Sequence, residues 1–121
     1  MSAQEQDVKA ILEETASRLH EVVVRLAGRL RPFPAFLDMS TVQAIELELT
    51  RPVGDLGCVV VLSDGEICEL ELKMIPGPGS PSDVDQIGEF RELNLPPAQY
   101  ILYAANAIGS LYEELRRNGQ F

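Results

Sequence analysis

The chain has no tryptophan, a single histidine and only two cysteines among its 121 residues. Two cysteines are too few for a disulfide-stapled secreted domain, and with one histidine they do not supply the four ligands of a structural zinc site. No apolar run is long enough to suggest a membrane span, and the polar, acidic residues 1–7 do not resemble a secretory signal. We therefore expect a cytoplasmic protein without disulfide, metal or cofactor.

Basic residues are also scarce: 10 Lys and Arg stand against 19 Asp and Glu, and the formal net charge is −9. The imbalance lies in residues 32–92, which hold 12 acidic and 3 basic residues. Such a surface repels nucleic acid and anionic membranes, so neither is an expected partner. It attracts a basic protein surface, although the charge can equally serve only to keep the protein in solution.

The N-terminal part of the chain is predicted to form a long amphipathic helix over residues 4–30. Its apolar residues recur four and three positions apart, which is the spacing of one helix face, and Pro32 stops it. The chain is 45% hydrophobic and can bury a core, so residues 1–121 are expected to fold as one domain. The helix face consists of Val8, Leu12, Ala16, Leu19, Val23, Leu26 and Leu30.

Three segments in the middle of the chain are predicted to be strands. Residues 45–49 and 69–72 alternate apolar and acidic side chains, which is typical of a half-buried strand. Residues 59–62, between them, carry no charge. Because direct pairing of the two acidic strands would oppose like charges, we expect the uncharged strand to lie in the centre of an antiparallel meander.

The segment 63–66, Ser-Asp-Gly-Glu, favours a two-residue hairpin turn between the second and third strands. In that register Leu62 faces Ile67, and side chains two positions apart share a face. One face, expected to be the core, carries Val59, Val61, Cys68, Leu70 and Leu72. The outer face carries Cys58, Val60, Leu62, Ile67, Glu69 and Glu71.

The rest of the chain is predicted to be helical after a proline-rich loop over residues 76–81. Ser82, followed by two acidic residues, indicates a short helix over about 83–92. A break at residues 94–97 then precedes a last helix over about 97–118. The sequence therefore predicts an α+β fold: a three-stranded antiparallel meander packed against a long N-terminal helix and two C-terminal helices.

The last helix has no charged residue between Glu92 and Glu113. A helix that is apolar most of the way round is covered on several sides. We expect a second copy of the chain to supply part of that cover, which makes a homodimer; the alternative is that the first helix and the sheet enclose it within one chain. The expected dimer interface is Tyr100, Ile101, Ala105, Ile108 and Tyr112.

Candidates for catalysis are few, and no catalytic motif is present. His20 lies at the edge of the first helix's apolar face without a partner at motif spacing, so a structural role is favoured. Cys58 is expected on the outer sheet face beside Glu71, where carboxylates raise the pKa of a thiol and lower its reactivity. Glutamates of the alternating strands suit an acid–base pair or a hard cation, but such alternation usually marks a solvated face. We predict no catalytic residue and no metal ligand.

The order helix, three-stranded meander, helix, helix, in a small acidic chain, is similar to that of bacterial secretion chaperones. The resemblance covers the whole chain and rests on element order rather than on a residue motif. It implies a dimer that holds partly unfolded effector proteins. Those chaperones usually place further strands between their later helices, and none is predicted here between residues 93 and 97.

The favoured function is a non-catalytic protein–protein interaction module, chaperone-like or an adaptor or inhibitor, that presents the acidic outer face of the sheet. The alternative is a small-ligand-binding homodimer with a pocket between the last helix and the sheet, lined by Tyr100, Tyr103 and Phe90. An enzyme that uses glutamate pairs or His20 is the third hypothesis. The residues expected to contact a partner are Glu46, Glu48, Val60, Leu62, Ile67, Glu69 and Glu71.

Overall fold

A computed structural model describes residues 3–36, 39–49, 57–76 and 84–120 of the chain. The fold is α+β, as predicted, with a long N-terminal helix, an antiparallel sheet and a C-terminal helix. The elements are α1 (Ala3–Arg29), β1 (Ala35–Phe36), β2 (Met39–Leu47), β3 (Cys58–Leu62), β4 (Ile67–Pro76), β5 (Val84–Glu92) and α2 (Pro97–Arg117).

Within the described residues the sheet has five strands in the order β1-β2-β3-β4-β5, and every neighbouring pair is antiparallel. The uncharged strand β3 lies between the two strands that carry alternating glutamates, which confirms the predicted order. The prediction of three strands was too low, because β1 adds to one edge and β5 to the other.

The helix predicted over residues 83–92 is wrong, since this segment is the strand β5. It pairs with β4 along nine residue pairs, from Cys68 with Glu92 to Pro76 with Val84. Ladder hydrogen bonds over that length outweigh the local helix-start signal of the acidic residues, and Gly88 is a poor helix former. The proline-rich loop, apart from Pro76, lies outside the described residues.

The predicted hairpin register is also wrong by one residue. Val61, not Leu62, pairs with Ile67, and Val59 pairs with Glu69. The cause is the turn, which has three residues rather than two: the Leu62 N–H donates to the Glu66 carbonyl, and the Gly65 N–H donates to the Leu62 carbonyl, each at 2.9 Å. Three-residue turns of this kind end in a residue with positive φ, and Gly65 has φ of 89°.

A shift of one residue moves every side chain of β4 to the other face of the sheet. Ile67, Glu69 and Glu71 therefore lie on the same face as Val59 and Val61, which is the face covered by the helices. The opposite face carries its own buried cluster. It comprises Phe36, Val42, Ala44, Val60 and Leu70, with Cys58 and Leu62 packed against it.

Both helices pack on the first of these faces and run in the same direction. His20 contacts Tyr100, and at the other end the Gln120 side chain bonds the backbone N–H and carbonyl of Arg31. The core between helices and sheet is centred on Val23, Leu30, Val59, Val61, Tyr103, Leu111 and Leu115. Neither helix has the length and apolar composition needed to cross a membrane, as far as the described residues go.

The helix α1 lies close against the turn itself. A Cβ atom added to Gly65 would lie 2.6 Å from the Cα of Val24, a distance at which something must move. The glycine is thus required twice, by its positive φ and by the helix backbone against it.

We expect Gly65→Ala to lower the free energy of unfolding by about 2–4 kcal/mol, because left-handed strain and overpacking add. Chemical denaturation followed by circular dichroism measures the change. Gly28→Ala is the matched control, because a Cβ at Gly28 meets nothing within 4 Å. That control should leave the stability unchanged or slightly higher, and equal effects of the two variants would contradict the assignment of the turn.

Candidate interaction site

The seven residues predicted to contact a partner do not lie on one surface. Ile67, Glu69 and Glu71 are on the helix-covered face, whereas Glu46 pairs with Val60 on the opposite face. Val60 is fully buried and Ile67 is 6% exposed, so both are core residues of the chain. The contact role of the seven residues stays a prediction; of these, Glu46 and Glu48 are exposed and Leu62 is partly buried.

Glu69 and Glu71 have structural contacts within the chain. The Glu69 carboxylate accepts a hydrogen bond from the backbone N–H of Gly57 at 2.9 Å. The Glu71 carboxylate lies 2.6 Å from the guanidinium of Arg91 on β5. These two carboxylates therefore help to order the ends and the outer edge of the sheet, a role that the sequence pattern did not indicate.

Cys58 lies beside glutamates of β2, and not beside Glu71 as predicted. Its pKa is raised to about 11, first by burial, then by the charge of Glu46 and a hydrogen bond to it, and then by Glu48. Burial and nearby carboxylates also raise the pKa of Cys68. Both cysteines are free, and both are protonated near neutral pH, which disfavours thiolate chemistry.

His20 has a partner that the sequence spacing did not reveal. Its Nδ1 lies 3.0 Å from the hydroxyl of Tyr100 in a part-buried contact between α1 and α2. Burial, and secondly the charge of Glu66, raise the pKa of Tyr100 to about 12, so the phenol stays neutral. The pair joins the two helices. This supports the structural role expected for His20.

The pocket predicted from Tyr100, Tyr103 and Phe90 does not form from these residues. Tyr103 is buried in the core, Tyr100 contacts His20, and Phe90 is an exposed residue of β5. A groove of about 510 Å³ does run along α2 beside β2, but different residues line it. They include Ile45, Asn106, Gly109, Glu113 and Arg117.

The five residues predicted for the dimer interface divide into three environments. Tyr100 contacts His20, Ile101 and Ile108 are partly buried, and Ala105 and Tyr112 are exposed. The exposed apolar side of α2 contains three residues that the prediction omitted. The complete set, which we call the α2 face, is Ala98, Leu102, Ala105, Gly109 and Tyr112.

The first helix also exposes apolar side chains. Val8 is 56% exposed, Ile11 is 61% exposed and Val22 is 41% exposed. Their spacing of three and eleven residues places them on one side of α1. A groove of about 550 Å³ lies between the start of α1 and the start of α2, lined in part by Val8, Leu12, Pro97 and Ala98.

No protein-family model matches this chain, and neither the curated proteins nor the solved structures include a significant match. Within the parts of the chain that the structure describes, no group of three or more His, Cys, Asp or Glu side chains is placed to hold a metal ion. The assignment of function therefore rests on the surfaces described above.

The environment of Cys58 makes a direct test of the β2–β3 register possible. We expect Glu46→Gln to lower the pKa of Cys58, because it removes a negative charge next to the thiol. The pKa stays above 9, since burial, the largest cause, remains. Alkylation of Cys58 at pH 8, followed by mass spectrometry, should become about three- to tenfold faster in proportion to the thiolate fraction. Glu13→Gln on α1 is the control, and equal rates in the two variants would contradict this contact.

Proposed function

We propose that this chain is a non-catalytic protein–protein interaction module that works as a homodimer. The observation that carries the proposal is the apolar surface of the helices that the sheet leaves uncovered: Leu102 is 51% exposed and Ile11 is 61% exposed. Single exposed apolar residues are ordinary, but Val8, Ile11 and Val22 share one side of α1, and Leu102 and Tyr112 share one side of α2. Apolar surface arranged in this way is typical of a protein interface.

The distribution of charge supports self-association through the helices rather than through the sheet. Each chain carries a net charge of −9, so two copies repel one another wherever their acidic surfaces meet. The 20 residues 93–112 carry no charge and form the longest uncharged stretch of the sequence. A second copy can approach α2 without this repulsion.

The chemistry of the polar residues supports binding rather than catalysis. The pKa of Cys58 is raised to about 11, which keeps the thiol protonated. The Tyr100 hydroxyl contacts His20 between the helices, so the single histidine has a place in the packing. Two of the four predicted strand glutamates, Glu69 and Glu71, are engaged in contacts within the chain.

The remaining strand glutamates suit a basic protein partner. Glu46 and Glu48 are exposed near Cys58, where their charges act on the thiol. Carboxylates at the rim of an interface increase the rate of encounter with a basic surface more than they increase its affinity. In this proposal the dimer uses the helices, and the basic partner meets the β2 side of the sheet.

Homodimerisation predicts a concentration-dependent mass in sedimentation equilibrium. At tens of micromolar protein the mass should approach twice the 13.3 kDa of the chain. High salt should not dissociate the dimer, since the proposed interface is mainly apolar. A mass of one chain at all concentrations up to about a millimolar would reject the homodimer.

The acidic rim predicts a salt-dependent partner. The wild-type chain should retain a basic protein at low salt. The double variant Glu46→Lys/Glu48→Lys should slow association with that protein by at least about tenfold. Biolayer interferometry at two salt concentrations measures this rate. The variant Glu13→Lys/Glu21→Lys makes the same change in net charge on exposed positions of α1 and is the control. If both variants slowed association equally, the effect would come from net charge alone. That result would reject the β2 side as the contact surface.

A further inference from the structure

The α2 face has the spacing of a helix that packs against a second helix. Ala98, Leu102, Ala105, Gly109 and Tyr112 follow one another at intervals of four, three, four and three residues, the repeat that two packed helices share. All five are exposed, with Leu102 at 51% and Tyr112 at 47%. The same helix buries its other side in the core through Tyr103, Ala104, Ala107, Leu111 and Leu115.

Gly109 is the residue of this face that the single chain does not explain. Glycine is a poor helix former, and Gly109 lies in the interior of α2, away from either end. A Cβ atom at this position would meet nothing within 4 Å. Neither the backbone conformation nor a neighbour within the chain requires glycine here. A close approach by a second backbone does require it.

The sizes of the five side chains are complementary under one particular symmetry. When two copies of α2 run antiparallel and cross at Ala105, residue numbers opposite one another add up to 210. Ala98 of each copy then lies opposite Tyr112 of the other, and Leu102 lies within one residue, about 1.5 Å along the helix, of the level of Gly109. Each large side chain meets a small one, and Ala105 meets its own copy on the axis.

A parallel alignment does not have this property. It would set Leu102 against Leu102 and Tyr112 against Tyr112, and would leave a gap where the two Gly109 residues meet. It would also align the dipoles of the two helices, whereas an antiparallel pair opposes them.

Charge at the ends of the α2 face favours the antiparallel pair as well. The first turn of α2 contains no acidic residue, and the N-cap residue before it, Pro96, has no polar side-chain atom that could cap the helix. In the antiparallel alignment, the exposed Glu113 of each copy comes next to this first turn in the other copy. A carboxylate is stabilised at the positive end of a helix.

We propose that the partner of the α2 face is a second copy of this chain, bound with α2 antiparallel to α2 and a two-fold axis at Ala105. This inference rests on the proposed homodimer and specifies its interface. It makes the contact isologous, so that the same five residues contribute from both chains.

Disulfide cross-linking tests the geometry. Ala105→Cys should give a covalent dimer under mild oxidation, since the two Cα atoms on the axis come within the range of a disulfide. Arg116→Cys lies further along the same side of α2, where the antiparallel pair separates the two copies by about 33 Å, and it should not cross-link. Wild-type protein, which retains Cys58 and Cys68, shows any background from the natural cysteines.

The size of residue 109 gives a second, independent test. Gly109→Leu should retain the helical circular dichroism spectrum and raise the dimer dissociation constant by at least about tenfold, because Leu102 of the other copy then meets a large side chain. Gly28→Leu is the matched control: Gly28 also lies in a helix with open space where its Cβ would be, but on α1. It should leave the dissociation constant unchanged.

The outcomes separate this inference from the proposed function. Cross-linking at both residues 105 and 116 would indicate a parallel pair and overturn the antiparallel geometry. A wild-type dimer that cross-links at neither residue, or that tolerates Gly109→Leu, would keep the homodimer and reject the α2 face. A wild-type monomer in sedimentation would reject both.

Discussion

The contact between Gly65 and the backbone of Val24 connects the sheet to the helix layer. Because the turn has three residues and ends in a glycine with positive φ, Val61 pairs with Ile67. This shift of one residue in the pairing decides which β4 side chains face the helices and which face the second buried cluster. The same glycine allows α1 to lie directly on the turn. The division of the sheet into its two apolar faces depends on this one position.

The register also determines what the acidic residues do. It turns Glu69 and Glu71 towards the helix-covered side, where one carboxylate holds Gly57 and the other pairs with Arg91. The pairing of β2 with β3 leaves Glu46 and Glu48 exposed and close enough to Cys58 to raise its pKa. Similar patterns of alternating glutamates thus have two roles, one in the structure of the sheet and one at its surface.

With apolar clusters buried on both faces of the sheet, the helices carry much of the exposed apolar surface. The side of α2 that faces the sheet and α1 is buried, whereas the α2 face, which combines leucine and tyrosine with alanine and glycine, is exposed. A mixture of side-chain sizes on an exposed helix side suits packing against a second helix. Net charge of one sign disfavours association elsewhere and so favours this side.

The sequence by itself determined the features that depend on local periodicity and composition. The first and last helices and the uncharged stretch 93–112 were predictable, because each follows from residues close together in the chain. The central position of the uncharged strand was predictable from the like charges of the two strands beside it. The tertiary structure alone decided that residues 84–92 pair with β4 as a strand, that Tyr100 is the partner of His20, and that Val60 is buried. These depend on contacts between residues far apart in sequence. A hairpin register that differs by one residue likewise moves the β4 side chains to the other face of the sheet without altering any local pattern.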